Sequence, residues 1–244
     1  EIAGGEGPIE ESIYKIASDP FFSLIEITHI KNDKTREKVR KLLEISNIRI
    51  SFGAHPPIFI NKLNINSSDE DERGKAVEAL ENLIDEAYFI GAESFVFLSG
   101  PKPEDENKIR TEIEKIIISI NELCSYNEKK ARELSVKPLD MIIETFDDKT
   151  FAKNRLIGPT DVSVELAKEI NKNYSNFGLL LDLSHLPILN EDYKDSLKKA
   201  VKVLKHVHIG NCILKDKNHK AYGDEHPRLC IKGGENFIEE LTGF

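Results

Sequence analysis

The stretch Gly178-Leu179-Leu180-Leu181-Asp182-Leu183-Ser184-His185 decides how the chain is read. Its apolar run, set between Asn- and Ser-rich breakers, predicts a strand buried on both faces that ends in Asp182 and His185. A carboxylate and an imidazole at the carboxyl end of such a strand lie at the mouth of a sheet, where α/β barrels keep their chemistry.

Working outward, the same pattern recurs. Strands are expected over 24–27, 48–52, 94–98, 139–144, 177–182 and 206–209. Between them the spacing predicts helices over 8–17, 33–45, 71–90, 104–134, 161–171 and 190–204, with a further one over 235–241. Leu197, Ala200, Val201 and Leu204 form the expected buried face of the 190–204 helix. Strand–helix alternation with crossovers of this length argues for parallel strands joined right-handedly.

The expected fold class is therefore α/β, a (β/α)₈ TIM barrel. A closed barrel needs eight strands and six are visible, so the first and last strands are expected to be missing from the chain, before Glu1 and after Phe244. An open arc would leave two unpaired edges. The alternative is an open doubly wound sheet, for which no Gly-rich phosphate loop follows a first strand.

Composition limits the function. The chain has 244 residues, 39% of them hydrophobic, enough for one sizeable core, and a single domain over 1–244 is expected. It carries no apolar run of membrane-spanning length. The opening EIAGGEGPIEES has neither a basic nor an apolar leader region, so no secretory signal is expected. Three Cys at unrelated spacings form neither a disulfide framework nor a paired thiolate zinc site, which fits a reduced, cytoplasmic compartment. The formal net charge of −9 disfavours nucleic acid as a partner held by phosphate neutralisation. The oligomeric state is open, and a homo-oligomer is compatible with the sequence.

The functional argument rests on polar residues that interrupt strand ends. Glu144, Asp182 and His208 each close one of three consecutive strands, with about one helix and its loops between them. Neighbouring barrel strands would aim two carboxylates and an imidazole at one point. That mixture of oxygen and nitrogen ligands suits Mn²⁺, Zn²⁺, Co²⁺ or Mg²⁺. His55, in SFGAHPPI, follows a strand where a mouth-lining, substrate-contacting residue would sit, and the two prolines after it stiffen its loop; capping a rigid turn would explain it equally well. His29, His206 and His219 fit no pattern.

The combination IIETF, LLLDLSH and HVHIGN, followed by GDEHPRLCIKGGEN, resembles the xylose isomerase-like TIM-barrel superfamily of sugar isomerases and epimerases, which also includes endonuclease IV-type apurinic-site enzymes. The resemblance implies a divalent metal held by Glu144, Asp182 and His208, with a further Glu on a last strand that the chain does not reach. It implies that His185 contacts substrate oxygen and that Glu144 doubles as ligand and proton-transfer base in a sugar or sugar-phosphate isomerase/epimerase working through an enediolate. In the endonuclease-like relatives a D-x-H holds an additional zinc, and Asp224 and His226 match that spacing as a possible second metal site. In the sugar enzymes the same loop more often contacts substrate, with Arg228 on a hydroxyl, carboxylate or phosphate. Gly233-Gly234-Glu235 resembles the turn before the final helix of several sugar isomerases, whose N-terminus could receive an anion. The rival expectations are a zinc-dependent phosphodiesterase acting at abasic DNA and a barrel that binds a ligand without turning it over.

Overall fold

A computed structural model describes residues 7–149 and 151–244. Residues 1–6, part of the stretch in which no leader is expected, lie outside the described ones. Among the described residues the elements run α1 (Ile9–Ala17), β1 (Leu24–Ile27), α2 (Asp33–Glu44), β2 (Arg49–Gly53), α3 (His55–Ile60), α4 (Glu70–Ile90), β3 (Ser94–Phe97), α5 (Glu106–Leu134), β4 (Asp140–Thr145), α6 (Thr160–Ile170), β5 (Phe177–Asp182), α7 (His185–Leu189), α8 (Tyr193–Ala200), β6 (Leu204–His208) and α9 (Ile238–Gly243). No helix among them is long and apolar enough to cross a membrane.

All six strands are parallel and paired in chain order, β1-β2-β3-β4-β5-β6. This order has no reversal point, so the doubly wound alternative is excluded. The sheet is also curled. Five strand spacings of about 4.8 Å would put β1 and β6 about 24 Å apart in a flat sheet. Instead Glu26 Oε2 on β1 stands 3.5 Å from His208 Nε2 on β6. Six strands of a TIM barrel therefore wrap around one interior, as expected from the strand count.

The outward residues of the strands, among them Ile25, Phe52, Phe95, Ile143 and Leu179, are buried with α4, α5 and α6 residues in the main core. The inner face carries a small apolar plug of Val96, Ile142 and Leu180. Above that plug, toward the carboxyl ends of the strands, the inner residues are polar.

The last strand departs from expectation in an informative way. The 190–204 helix ends at Ala200; Val201 is 66% exposed, and Leu204 opens β6. A register shift between Leu179 and Leu180 pairs Leu179 with Leu204 but Leu180 with His206, leaving Lys205 as a bulge residue. The bulge flips the strand's parity, so that His206 and His208 share the inner face of Leu180 and Asp182. Gly178 makes this possible: a Cβ there would come within 2.6 Å of the Lys205 side chain.

Two short helices were not expected. HPPIFI reads as a stiffened loop, yet α3 forms there with its prolines in the first turn, where a missing N–H costs nothing. Similarly, α7 begins directly at His185. Conversely, the final helix starts at Ile238 rather than 235, so no helix N-terminus follows Gly233-Gly234-Glu235 to receive an anion.

Candidate metal centre

Three strand ends and two loops converge on one mouth. Glu144 is the inner-facing residue next to the end of β4, Asp182 closes β5, and His208 closes β6. Glu144 and Asp182 are buried, and His208 is partly exposed. One ligand atom from each of the three lies within 4.8 Å of the others. His208 Nδ1 stands 3.8 Å from Glu144 Oε1 and 3.9 Å from Asp182 Oδ2.

The orientation of each carboxylate has a local cause. Asp182 Oδ1 accepts from the backbone N–H of Ser184 at 2.7 Å and from its hydroxyl at 2.6 Å. Its second oxygen is thereby left to face the mouth. Glu144 is held by imidazoles: His55 Nε2 lies 2.6 Å from Oε2, and His185 Nδ1 lies 3.5 Å from Oε1.

A second cluster shares Asp182. His185 is fully buried, and its Nδ1 lies 2.9 Å from the Thr145 carbonyl oxygen, to which it can donate. That bond leaves Nε2 directed at Asp224 Oδ1, 3.3 Å away, while His226 Nε2 reaches the same oxygen at 2.9 Å. Asp182, His185 and His226 again offer ligand atoms within 4.8 Å of one another. A histidine fixed by a backbone carbonyl through one ring nitrogen is the usual support for metal ligation through the other.

Electrostatics follow from packing these charges together. Burial works against the charge of Glu144, but the imidazoles of His55 and His208 outweigh it and hold the carboxyl far below the usual range. Burial likewise opposes the ionised form of Asp224, and His185 and His226 more than offset it. Burial would make His208 neutral, yet Glu144 and Glu26 push it up to about 11. His185 is raised to about 10 against its burial by Asp182, Asp224 and Glu144. Asp224 raises His226.

The donor set fits a divalent cation. Close as the contacts are, His55 Nε2, His185 Nε2 and both oxygens of Asp224 are buried without an aligned hydrogen bond. Buried polar atoms normally find partners, so orphans of both kinds aimed into one mouth describe a site shaped for a positive ion. Carboxylate oxygens and imidazole nitrogens without thiolate suit Mn²⁺, Zn²⁺, Co²⁺ or Mg²⁺.

Most of the residues singled out in the sequence are thus brought together: Glu144, Asp182, His185, His208, Asp224, His226 and His55. Arg228 is not in this group: the residue is exposed, and its carbonyl accepts from Asn211 Nδ2 at 3.2 Å. Two residues at the mouth escaped the sequence reading. Glu26 lies inside the four-residue strand LIEI, and its Oε2 stands 3.9 Å from His206 Nε2. Alternation in β1 was the available signal: Ile25 and Ile27 face the helices, so Glu26 faces inward.

The motif residues Asn211 and Gly234 act as a scaffold. Asn211 Oδ1 accepts from the backbone N–H groups of Cys212, Glu235 and Asn236 at 2.8–3.1 Å. Asn236 Nδ2 in turn donates to the carbonyls of Leu183 and Gly210, tying the loop to the ends of β5 and β6. Gly234 allows the approach, since a Cβ there would meet Asn211 Nδ2 at 2.5 Å. Asn211→Ala strands the N–H groups of buried Cys212 and Asn236, while that of Glu235 keeps the Cys212 carbonyl at 3.0 Å, and is expected to cost about 2 kcal/mol, read as a lowered midpoint in denaturant unfolding. Unchanged stability would show that the loop is held by other contacts.

Residues 22–239 match the xylose isomerase-like TIM barrel family. No curated protein sequence matches the chain. Among solved structures, D-psicose 3-epimerase from Clostridium cellulolyticum H10, crystallised with D-tagatose, is 20% identical, with a TM-score of 0.66 over 84% of this chain and 68% of that one. D-allulose 3-epimerase from Methylomonas sp. is 20% identical, with a TM-score of 0.66 over 88% and 73%. An AP endonuclease of family 2 from Brucella melitensis is 18% identical, with a TM-score of 0.64 over 89% and 79%. These likenesses establish the fold, and the family match covers the whole mouth from Glu26 to His226. The chain belongs to the xylose isomerase-like TIM-barrel family.

Proposed function

We propose that this protein is a divalent-metal-dependent sugar or sugar-phosphate isomerase or epimerase. The observation that carries the proposal is the convergence of Glu144, Asp182 and His208 from adjacent strand ends, with ligand atoms within 4.8 Å. Glu144, Asp182 and His208 would hold the ion. When bound, it would polarise the carbonyl and adjacent hydroxyl of an open-chain sugar and make the carbon-bound proton between them acidic.

The chain's own residues then have separable tasks. Glu144, kept ionised by its imidazole neighbours, accepts that proton, and an enediolate results. Returning the proton to the neighbouring carbon isomerises the sugar. Returning it from the opposite face epimerises it, which requires a second proton donor across from Glu144. His55, a partly exposed residue 2.6 Å from Glu144 Oε2, fixes that carboxylate and lies where a sugar hydroxyl would enter. Exposed Arg228, whose backbone is tied to Asn211, would suit a phosphate or hydroxyl further from the reacting carbon.

The test uses metal-stripped protein reloaded with Mn²⁺ or Zn²⁺ and supplied with D-fructose, D-tagatose, D-psicose and ketose phosphates in deuterated water. Deuterium uptake at the carbon beside the carbonyl is expected for at least one. No exchange with any of them, in protein shown to bind metal, would sink the isomerase reading.

A second reading is favoured by the His185 cluster. His185 is buried against Asp224 and His226 rather than open to substrate, and this arrangement suits a further zinc. A multi-zinc phosphodiesterase acting at abasic DNA follows from that, against the opposing net charge of −9. Metal-dependent cleavage of an abasic-site oligonucleotide without sugar turnover would decide for it.

A further inference from the structure

The interior wall of the curled sheet contains a carboxylate that neither reading uses. Glu26 sits on β1, three strands along the curled sheet from Glu144 on β4, and its two oxygens face two different imidazoles. Oε2 lies 3.5 Å from His208 Nε2, and Oε1 lies 4.0 Å from His55 Nδ1. Each of those rings presents its other nitrogen to Glu144: His55 Nε2 at 2.6 Å and His208 Nδ1 at 3.8 Å. Two imidazoles are thus clamped between two carboxylates.

The clamp is built rather than incidental. Glu26 Oε2 also accepts from the Ser51 hydroxyl at 3.3 Å, and that hydroxyl accepts from Ser94 at 2.9 Å, so a chain of inner-face groups on β2 and β3 holds the carboxylate in place. Gly53 provides the space. A Cβ there would stand 2.8 Å from Glu26 Oε1 and 3.2 Å from His55 Nδ1. A side chain at this position would displace the Glu26 carboxylate from its place beside His55.

We propose that Glu26 is a positioning residue, which holds His208 by its Nε2 so that Nδ1 is presented to the metal between Glu144 and Asp182, and holds His55 toward Glu144. The inference rests on the metal-site reading above. Carboxylates that fix a ligating imidazole through its distal nitrogen are common, and removing one costs about 10–100-fold in metal affinity. Glu26, His206 and His208 also have ligand-like spacing. Ligation there would require His208 to bind two ions through both ring nitrogens, whereas a hydrogen bond from Nε2 to Glu26 lets one ring nitrogen serve each purpose.

The test is Glu26→Gln, which keeps the shape and removes the charge. Mn²⁺ is titrated calorimetrically into metal-stripped wild type and variant, with the thermal unfolding midpoint of the metal-free proteins as the check on folding. The expected result is one Mn²⁺ in both, bound about 10–100-fold more weakly in the variant, with the unfolding midpoint little changed. Glu26→Asp, which keeps the charge but withdraws it, weakens Mn²⁺ less and keeps the test decisive should the amide variant not fold. Equal affinity in wild type and variant would overturn the positioning role while leaving the metal site standing. Loss of a second bound ion on substitution would overturn it in favour of direct ligation. A wild type that binds no Mn²⁺ at all would overturn both the metal site and this inference.

Discussion

Asp182→Ala is expected to abolish tight divalent-metal binding while leaving the barrel folded. Asp182 belongs to both ligand clusters, so its loss removes an oxygen from each at once. Removing a carboxylate that merely supports a ligand weakens metal binding up to about 100-fold, and removing a ligand should exceed that. Two further effects accompany it. Ser184 loses the acceptor of both its N–H and its hydroxyl, and His185 loses a neighbouring negative charge. Stranding those donors costs about 1–3 kcal/mol, small beside a core that runs the length of the sheet. Asp182→Asn, which keeps the shape, should separate the effects: its stability stays closer to wild type and its metal affinity falls almost as far. Elemental analysis and Mn²⁺ titration of the folded variants check this, and unchanged metal content would sink the site assignment.

Asp182 is legible in the sequence because of how a barrel is built. A parallel strand is covered on both faces, so Leu179-Leu180-Leu181 reads as an unbroken apolar run, and the first charged residue after it marks the mouth. The same logic exposes Glu144 after Ile142-Ile143. It fails where the strand is short or irregular. In β1 the four residues LIEI alternate, so Glu26 looks like the solvent side of an edge strand until the curl of the sheet brings His208 to it from across the barrel.

His206 was hidden by a different cause. The run LKKAVKVLKHVH carries apolar residues at helical spacing, and Leu204 fits that helix face. Its place in β6, and the inward turn of His206, depend on the Lys205 bulge and on the space above Gly178, both of which are tertiary. His55 illustrates a third case. Its proximity to the mouth is legible, but two consecutive prolines suggest a stiffened loop, whereas they form the first turn of α3. The scaffold role of Asn211 and Gly234 was legible only as a motif. Its content, three backbone donors converging on one side-chain oxygen, needs the folded loop.

The charges packed at the mouth lead to the remaining large effect, a steep rise of metal affinity with pH. In the metal-free protein His208 is raised to about 11 and His185 to about 10, so both rings are protonated at neutral pH. A metal binds only the neutral imidazole, and each ring it takes must therefore release one proton. Every proton released makes affinity rise about tenfold per pH unit below the ring's pKa, or about 1000-fold between pH 6 and pH 9 for one histidine. The sign for folding is opposite. Histidines with raised pKa values contribute stability that is complete below about pH 6.5 and is lost as pH climbs toward 10–11, so the metal-free protein should lose stability with rising pH over that interval. Proton release, measured by calorimetry in buffers of different ionisation enthalpy, also distinguishes the two functional readings. One ion held by Glu144, Asp182 and His208 displaces one proton near neutrality. A second ion on Asp182, His185, Asp224 and His226 displaces a proton from His185 and adds to it whatever His226, also raised by Asp224, still carries. Release of one proton per protein supports the sugar isomerase, and two or more points to the multi-zinc phosphodiesterase. Affinity that does not change with pH would mean that neither His208 nor His185 is a ligand.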